Sequence, residues 1–281
     1  MLLKLFRHDF RALSRAQVPV LIAVAAAAVL GFFNMLVLAG TGSGQFVYEG
    51  SAGHTLLLST SIGGTLLVST ALAAALSVLS VLIFVRFYRS MVTDEAYLTF
   101  TLPVTAGQLI GAKFLASAVW FLIGGIAILL AGSLMLSGAF LAGGADFREA
   151  MSYMWDDMLT VVRENPRTIL LLCLFALASA VRWYFQITGA ILFGASIVRK
   201  NKALAAVGMI FAANFAVNLI TAFLPVVGPG SLFLLAFTGS DFVDAYSPDL
   251  WLGIQTVVAV LLAALFWWMS VRIAKKSVNI E

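Results

Sequence analysis

The sequence predicts an all-α integral membrane protein with six transmembrane helices. Of its 281 residues, 62% are hydrophobic and 11% are charged, whereas about a quarter of the residues in an ordinary soluble domain are charged. The apolar residues form six long runs, and each can cross about 30 Å of hydrocarbon as a helix of roughly 20 residues. Such continuous runs exclude the alternating strands of a transmembrane β-barrel.

The predicted spans are residues 18–39, 56–85, 109–136, 168–198, 203–224 and 250–271, within one transmembrane domain, 1–281. The first run ends in Val37, Leu38 and Ala39, which resemble the cleavage site of a secretory signal peptide. Its apolar core is longer than the roughly 7–15 residues typical of a signal peptide. We therefore interpret it as a retained span.

The distribution of Lys and Arg predicts the orientation, because these residues favour cytoplasmic loops. With the N-terminus inside, three of the 17 basic residues (Arg148, Arg163 and Arg167) lie outside, Arg182 lies in a span, and the other 13 lie inside. Both termini are therefore predicted to be cytoplasmic. The net charge of +4 then reflects topology and anionic membrane lipid, and it requires no nucleic-acid partner.

Residues 1–17 have the pattern of an interfacial amphipathic helix on the inner leaflet. Apolar and basic side chains each recur at helical spacing: Leu3, Phe6, Phe10 and Leu13, and Lys4, Arg7, Arg11 and Arg15. We expect Pro19 to mark a bend into the first span. The second span then opens with small and hydroxylated residues over 59–70, which predict close helix packing or, alternatively, a polar lining.

The cytoplasmic loop 86–108 is predicted to contain a short helix. Thr93 can cap its start, where Asp94 and Glu95 meet unpaired N–H groups and the positive end of the helix dipole. Pro103 ends the helix because proline lacks the backbone donor. The predicted helix would present apolar side chains (Tyr97, Leu98, Phe100 and Leu102) outside the spans, and we expect them to bind a protein partner. The alternative is a solvated loop with its aromatic residues in the membrane interface.

This loop resembles the first cytoplasmic loop of bacterial ABC-2-type transporter permeases. The resemblance lies in the run Thr93-Asp94-Glu95-x-Tyr97-Leu98-Thr99-x-Thr101-Leu102-Pro103-Val104-Thr105, followed by Lys113 at the start of a span. It implies a type V exporter-like fold with an N-terminal elbow helix, in the bacterial plasma membrane. It also implies that Asp94, Glu95, Tyr97, Leu98, Phe100 and Leu102 form a coupling helix seated in a separate ATPase subunit. A second permease copy or paralogue would complete the transporter.

Two outer segments are predicted beyond the spans. Residues 138–167 contain an amphipathic helix ended by Pro166, and its apolar face would cap the bundle or form a lateral surface for a partner or cargo. Residues 225–249 open with two prolines and two glycines, and their short apolar run, 231–237, cannot span the bilayer. This segment is therefore predicted to be re-entrant or to lie flat.

Arg182 is the most costly residue of the predicted spans, because a charge at mid-membrane costs about 2.5–3.5 kcal/mol on insertion scales. Gln186 lies one turn further along the same helix. Asn214 and Asn218, themselves one turn apart in the next span, are candidate partners in a pathway or subunit seam. The two hypotheses for Arg182 are structural pairing at the seam and a cargo or gating role.

Motifs for catalysis, cofactors or metals are absent from the sequence. There is no G-x-x-x-x-G-K-[ST] phosphate loop, and the chain has two His and one Cys. We therefore expect no enzymatic activity, with ATP and Mg²⁺ bound by the partner ATPase. The predicted function is that of a permease subunit exporting a peptide, drug or lipid-like substrate. The alternative is a membrane sensor or assembly subunit that recruits a cytosolic partner through residues 86–108.

Overall fold

The structure, a computed structural model, describes residues 2–42, 52–93, 96, 104–142, 147–198, 200–223 and 248–278. Regular structure in these ranges is entirely helical, with no strand among them. The helices are α1 (Leu2–Gly42), α2 (Ala52–Val92), α3 (Ala106–Ala142), α4 (Phe147–Glu164), α5 (Pro166–Ile197), α6 (Lys202–Phe223) and α7 (Pro248–Val278).

Six of the helices are long and apolar enough to span a membrane: α1, α2, α3, α5, α6 and α7. Together they contain the six runs predicted from the sequence, apart from one residue at the end of the fourth and of the fifth. The coarse prediction of an all-helical, multi-pass membrane protein is therefore confirmed. The predicted re-entrant segment lies almost wholly outside the described residues, which resume at Pro248.

The predicted elbow helix is not a separate element. One helix, α1, runs from Leu2 to Gly42 and passes through Pro19 without a break. A proline inside a helix removes one hydrogen bond and kinks the chain, but it does not oblige the helix to end. Its apolar face also differs from the expectation, because Leu13 is buried and the Phe10 ring stacks on Trp120 with centroids 5.1 Å apart. The Phe10 and Leu13 end of this face packs against protein, whereas Leu3 is exposed.

The chain forms two compact units, of which the first comprises Met1–Val85 and Ala112–Thr160. In it, α1 and α2 are antiparallel, since Gln17 donates to the Leu79 carbonyl at one end and Asn34 to the Ser61 carbonyl at the other. The core consists of Val24, Ala28, Leu72, Ala131 and Met135, contributed by α1, α2 and α3.

The closest approach of α1 and α3 requires glycine at position 138. A methyl group there would lie 2.4 Å from the Phe32 carbonyl oxygen, which is backbone and cannot turn away. We expect Gly138→Ala to destabilise the protein by about 1–3 kcal/mol, because the two helices must separate. Gly132, on the same helix, has nothing within 4 Å. Gly132→Ala should therefore leave the apparent melting temperature in detergent almost unchanged, and equal melting temperatures for the two variants would contradict this contact.

The second unit comprises Arg86–Gly111 and Val161–Glu281. Here α5 and α6 form an antiparallel hairpin with a close approach near its turn, where a methyl group at Gly194 would lie 2.6 Å from the Ala205 carbonyl oxygen. Helix α7 runs parallel to α5. Asp249, in the first turn of α7, accepts a hydrogen bond from Thr168 and pairs with Arg167 at 3.5 Å.

Helix α4 matches the predicted outer amphipathic helix in position but not in its packing. Met154, Trp155, Met158, Val161 and Val162 lie on its apolar side, and all are exposed. The burial expected of a cap on the bundle is therefore not observed at these five residues, and the alternative of a lateral surface for a partner or cargo stays a prediction. The helix ends at Glu164, and α5 begins at Pro166. Proline is favoured at the first position of a helix, because its φ is fixed near the helical value and its missing N–H donor is not needed there.

Candidate functional site

A chain of polar side chains joins α5 to α6 inside the second unit. Arg182 Nη1 donates to Gln186 Oε1 at 2.9 Å, and Gln186 Nε2 donates to Asn214 Oδ1 at 2.7 Å. Gln186 is only 2% exposed. Three of the four residues predicted from the sequence are thus brought together, and the fourth, Asn218, lies one turn further along α6.

The positive charge of Arg182 is not neutralised by the side chains to which it is hydrogen-bonded. Its hydrogen-bond partner is a neutral amide, and none of the carboxylates in the described ranges forms an ion pair with it. The guanidinium group carries five N–H donors in a rigid fork, and this arrangement uses one of them. The side chain is half-buried, so the remaining donors can reach an anion that approaches the helix surface.

The predicted coupling residues (Asp94, Glu95, Tyr97, Leu98, Phe100 and Leu102) lie outside the described residues. The helix ends that flank them are described. Helix α2 continues past the predicted span to Val92, and α3 begins at Ala106, so both reach into the predicted loop. Phe87 and Met91 in α2 and Leu109 and Ile110 in α3 are buried. The two helix ends that flank the loop are therefore packed against the protein.

The start of α3 has a capping box that our sequence reasoning missed. Gln108 N donates to Thr105 Oγ1 and Thr105 N donates to Gln108 Oε1, each at 3.3 Å. The signal was present in the sequence, since Thr-x-x-Gln before an apolar run is its known signature. Thr93, predicted to cap the loop helix, donates its hydroxyl to the Arg89 carbonyl at the end of α2.

Small residues connect the start of α3 with the polar chain through α7. A methyl group at Gly107 would lie 4.0 Å from the Trp267 ring, an ordinary van der Waals contact. One turn of α7 away from that ring, Ser270 packs against α5, where a methyl group at Gly189 would lie 3.2 Å from Ser270 Oγ. Gly189 is one turn from Gln186. Helix α7 thus contacts both the base of the loop and the helix that carries Arg182.

A buried ion pair in the first unit was also missed. Lys113 Nζ lies 3.3 Å from Asp9 Oδ2, and the two side chains are 8% and 10% exposed. Two sequence features could have suggested it. Asp9 is the one acidic residue among the first 48, and Lys113 is the fifth residue of a predicted span.

The hydroxylated segment of the second span follows the close-packing interpretation on one side of its helix, and the polar lining stays a prediction. Ser61, Gly64 and Thr65 pack closely against Asn34, whose amide donates to the Thr65 hydroxyl at 2.9 Å. Other members of the segment are exposed and donate to their own helix carbonyls: Ser59, Thr60, Ser69 and Thr70. Close packing therefore holds for one side of this helix.

Within the described ranges, no three His, Cys, Asp or Glu residues are grouped closely enough to hold a metal ion. No protein-family model matches the chain, and neither a curated protein nor a solved structure shows significant similarity to it.

Proposed function

We propose that this chain is the permease subunit of an ABC-2-type exporter, driven by a separate ATPase subunit that binds residues 86–108. Two copies, or this chain and a paralogue, would form the passage, since six helices leave little room for one within a single chain. The cargo would be a peptide, drug or lipid-like molecule. The sequence of the loop motivates the proposal.

One structural observation carries the mechanism. The base of the loop and the Arg182 chain belong to the same compact unit, and α7 contacts both through Trp267 and Ser270. A displacement of the loop would be transmitted to the start of α3, from there to Trp267 of α7, and from α7 to Gly189 of α5. Because packed helices change position in discrete steps and do not deform continuously, a shift at this contact would reposition Gln186 and the guanidinium of Arg182.

The double variant Tyr97→Ala/Phe100→Ala tests the coupling role of the loop. Aromatic anchors at an interface typically contribute about 2 kcal/mol or more, so we expect the variant to lose the copurifying ATPase or to uncouple its ATP turnover from transport. Copurification and ATP turnover in the reconstituted complex measure the two effects. Lys275→Ala, which removes an exposed charge on α7, is the control and should change neither.

Normal amounts of ATPase, with normal coupling to transport, in the double variant would show that this loop is not the coupling element. A partner without ATPase motifs that is released by the same variant would instead support the sensor or assembly function.

We also propose that both termini are cytoplasmic. In a Cys173→Ala background, Asp156→Cys on α4 should react with an impermeant maleimide in intact cells, while Lys202→Cys at the start of α6 should react only after permeabilisation. Both positions are exposed, and the native Cys173 must be removed because it is exposed as well. Labelling of position 202 in intact cells would overturn the proposed orientation.

A further inference from the structure

Helix α1 has one buried face along most of its length. Asp9, Leu13 and Gln17 are buried at four-residue spacing, and the same side of the helix continues as Val24 and Ala28. The Asp9–Lys113 ion pair and the bond from Gln17 to Leu79 fix this face against α3 and α2. The rotation of α1 about its own axis is therefore determined, and so is the direction of its opposite face.

The opposite face begins with a cationic groove. The groove has a volume of about 480 Å³ and is lined by Lys4, Arg7, His8, Arg11, Ala12 and Arg15. The four Lys and Arg side chains are exposed, and in the described part of the chain they form no ion pair with a carboxylate. The groove thus places several positive charges around one open space on the surface of α1.

The same face continues as an apolar stripe. Val18, Ile22, Val29 and Phe33 follow Arg15 at spacings of three, four and seven residues, and all four are exposed. At 3.6 residues per turn they lie in line with Lys4, Arg7 and Arg11. From its N-terminus onward, one side of α1 therefore carries basic side chains and then, directly after them, apolar side chains.

We propose that this face binds an anionic phospholipid, with the phosphate of its headgroup in the groove and its acyl chains along the stripe. Charge complementarity selects an anionic headgroup, and the adjoining exposed stripe selects a ligand with acyl chains. The dimensions agree, since one leaflet has about 15 Å of hydrocarbon. About ten residues of helix cover that length, so chains that start near Arg15 pass Val18 and Ile22. The proposal does not depend on an ATPase partner.

Native mass spectrometry of the purified full chain in neutral detergent tests the proposal, with phosphatidylglycerol and phosphatidylcholine of the same acyl chains as probes. Wild type should bind the first phosphatidylglycerol more tightly than phosphatidylcholine. In Arg11→Gln/Arg15→Gln, binding of phosphatidylglycerol should weaken about 30-fold, since each cation near an anionic lipid surface contributes roughly a factor of five. Phosphatidylcholine binding should not change. Arg11→Lys/Arg15→Lys keeps the charge and should retain most of the preference.

The control is Lys200→Gln/Lys202→Gln, which removes two exposed charges, one from the connection between α5 and α6 and one from the start of α6. An equal loss of preference in this control, or a change of less than about threefold in the Arg11→Gln/Arg15→Gln variant, would overturn the proposal. Competition by glycerol 3-phosphate at the concentration of the lipid would also overturn it, by showing a site for soluble phosphate. An unchanged melting temperature verifies that the substitutions at these exposed positions preserve the fold.

Discussion

Lys113→Met is expected to destabilise the protein by about 3–5 kcal/mol, because it takes the ammonium group away from the buried carboxylate of Asp9. The ammonium lies 3.3 Å and 3.4 Å from the two carboxylate oxygens, so it donates a hydrogen bond to each of them. Asp9→Leu should also destabilise the protein, because it removes the carboxylate that faces the buried Lys113 ammonium. Neither charge can regain water by a small side-chain movement, because both groups are about nine-tenths buried.

The double variant Lys113→Met/Asp9→Leu separates the ion pair from simple packing. Replacement of a whole buried pair by apolar residues of similar size is often neutral or stabilising, so the double variant should recover most of the lost stability. The apparent melting temperatures of the wild type, the two single variants and the double variant, measured in detergent, form a double-mutant cycle. Lys202→Met, at an exposed position, controls for the loss of a charge. Additive losses in the double variant would mean that the two residues act independently.

Arg182→Gln is expected to reduce transport by about tenfold or more while the complex still assembles. A hydrogen bond to a charged group contributes about 1.5–3 kcal/mol, and this substitution removes every charged donor from the chain that continues to Gln186 and Asn214. Transport of the copurifying cargo by reconstituted vesicles, read beside ATP turnover, measures the effect. Arg163→Gln on the exposed face of α4 removes the same charge and should leave transport unchanged.

Two other outcomes would assign Arg182 a different role. Full transport by Arg182→Gln would reduce the residue to packing between α5 and α6. Loss of assembly would place it at the seam between two subunits, where pairing stabilises the complex. Arg182→Lys refines the result, because an ammonium group keeps the charge but loses the planar fork of donors. Normal transport by the Lys variant would show that charge alone is sufficient.

The spans could be predicted from the sequence because hydropathy is a local property. A run such as 109–136 needs no information about its neighbours to identify it as a membrane-spanning helix. The polar candidates on α5 and α6 were found for the same reason, since Arg182 is costly in any apolar surrounding. For the apolar side of α4 the sequence left two alternatives open, because an amphipathic pattern shows that a face needs apolar surroundings and does not say which.

The contacts between helices were decided only by the tertiary structure. Val24 and Val29 have the same side chain on the same helix, yet Val24 is 2% exposed and Val29 is 48% exposed. Lipid tails are as apolar as the side chains themselves, so hydrophobicity does not select which face of a span meets another helix. Shape and polar pairing make that selection, through Gly138 at Phe32, Asp9 at Lys113 and Gln186 at Asn214. Each of these pairs joins residues on different helices, and their match exists only once the helices are packed.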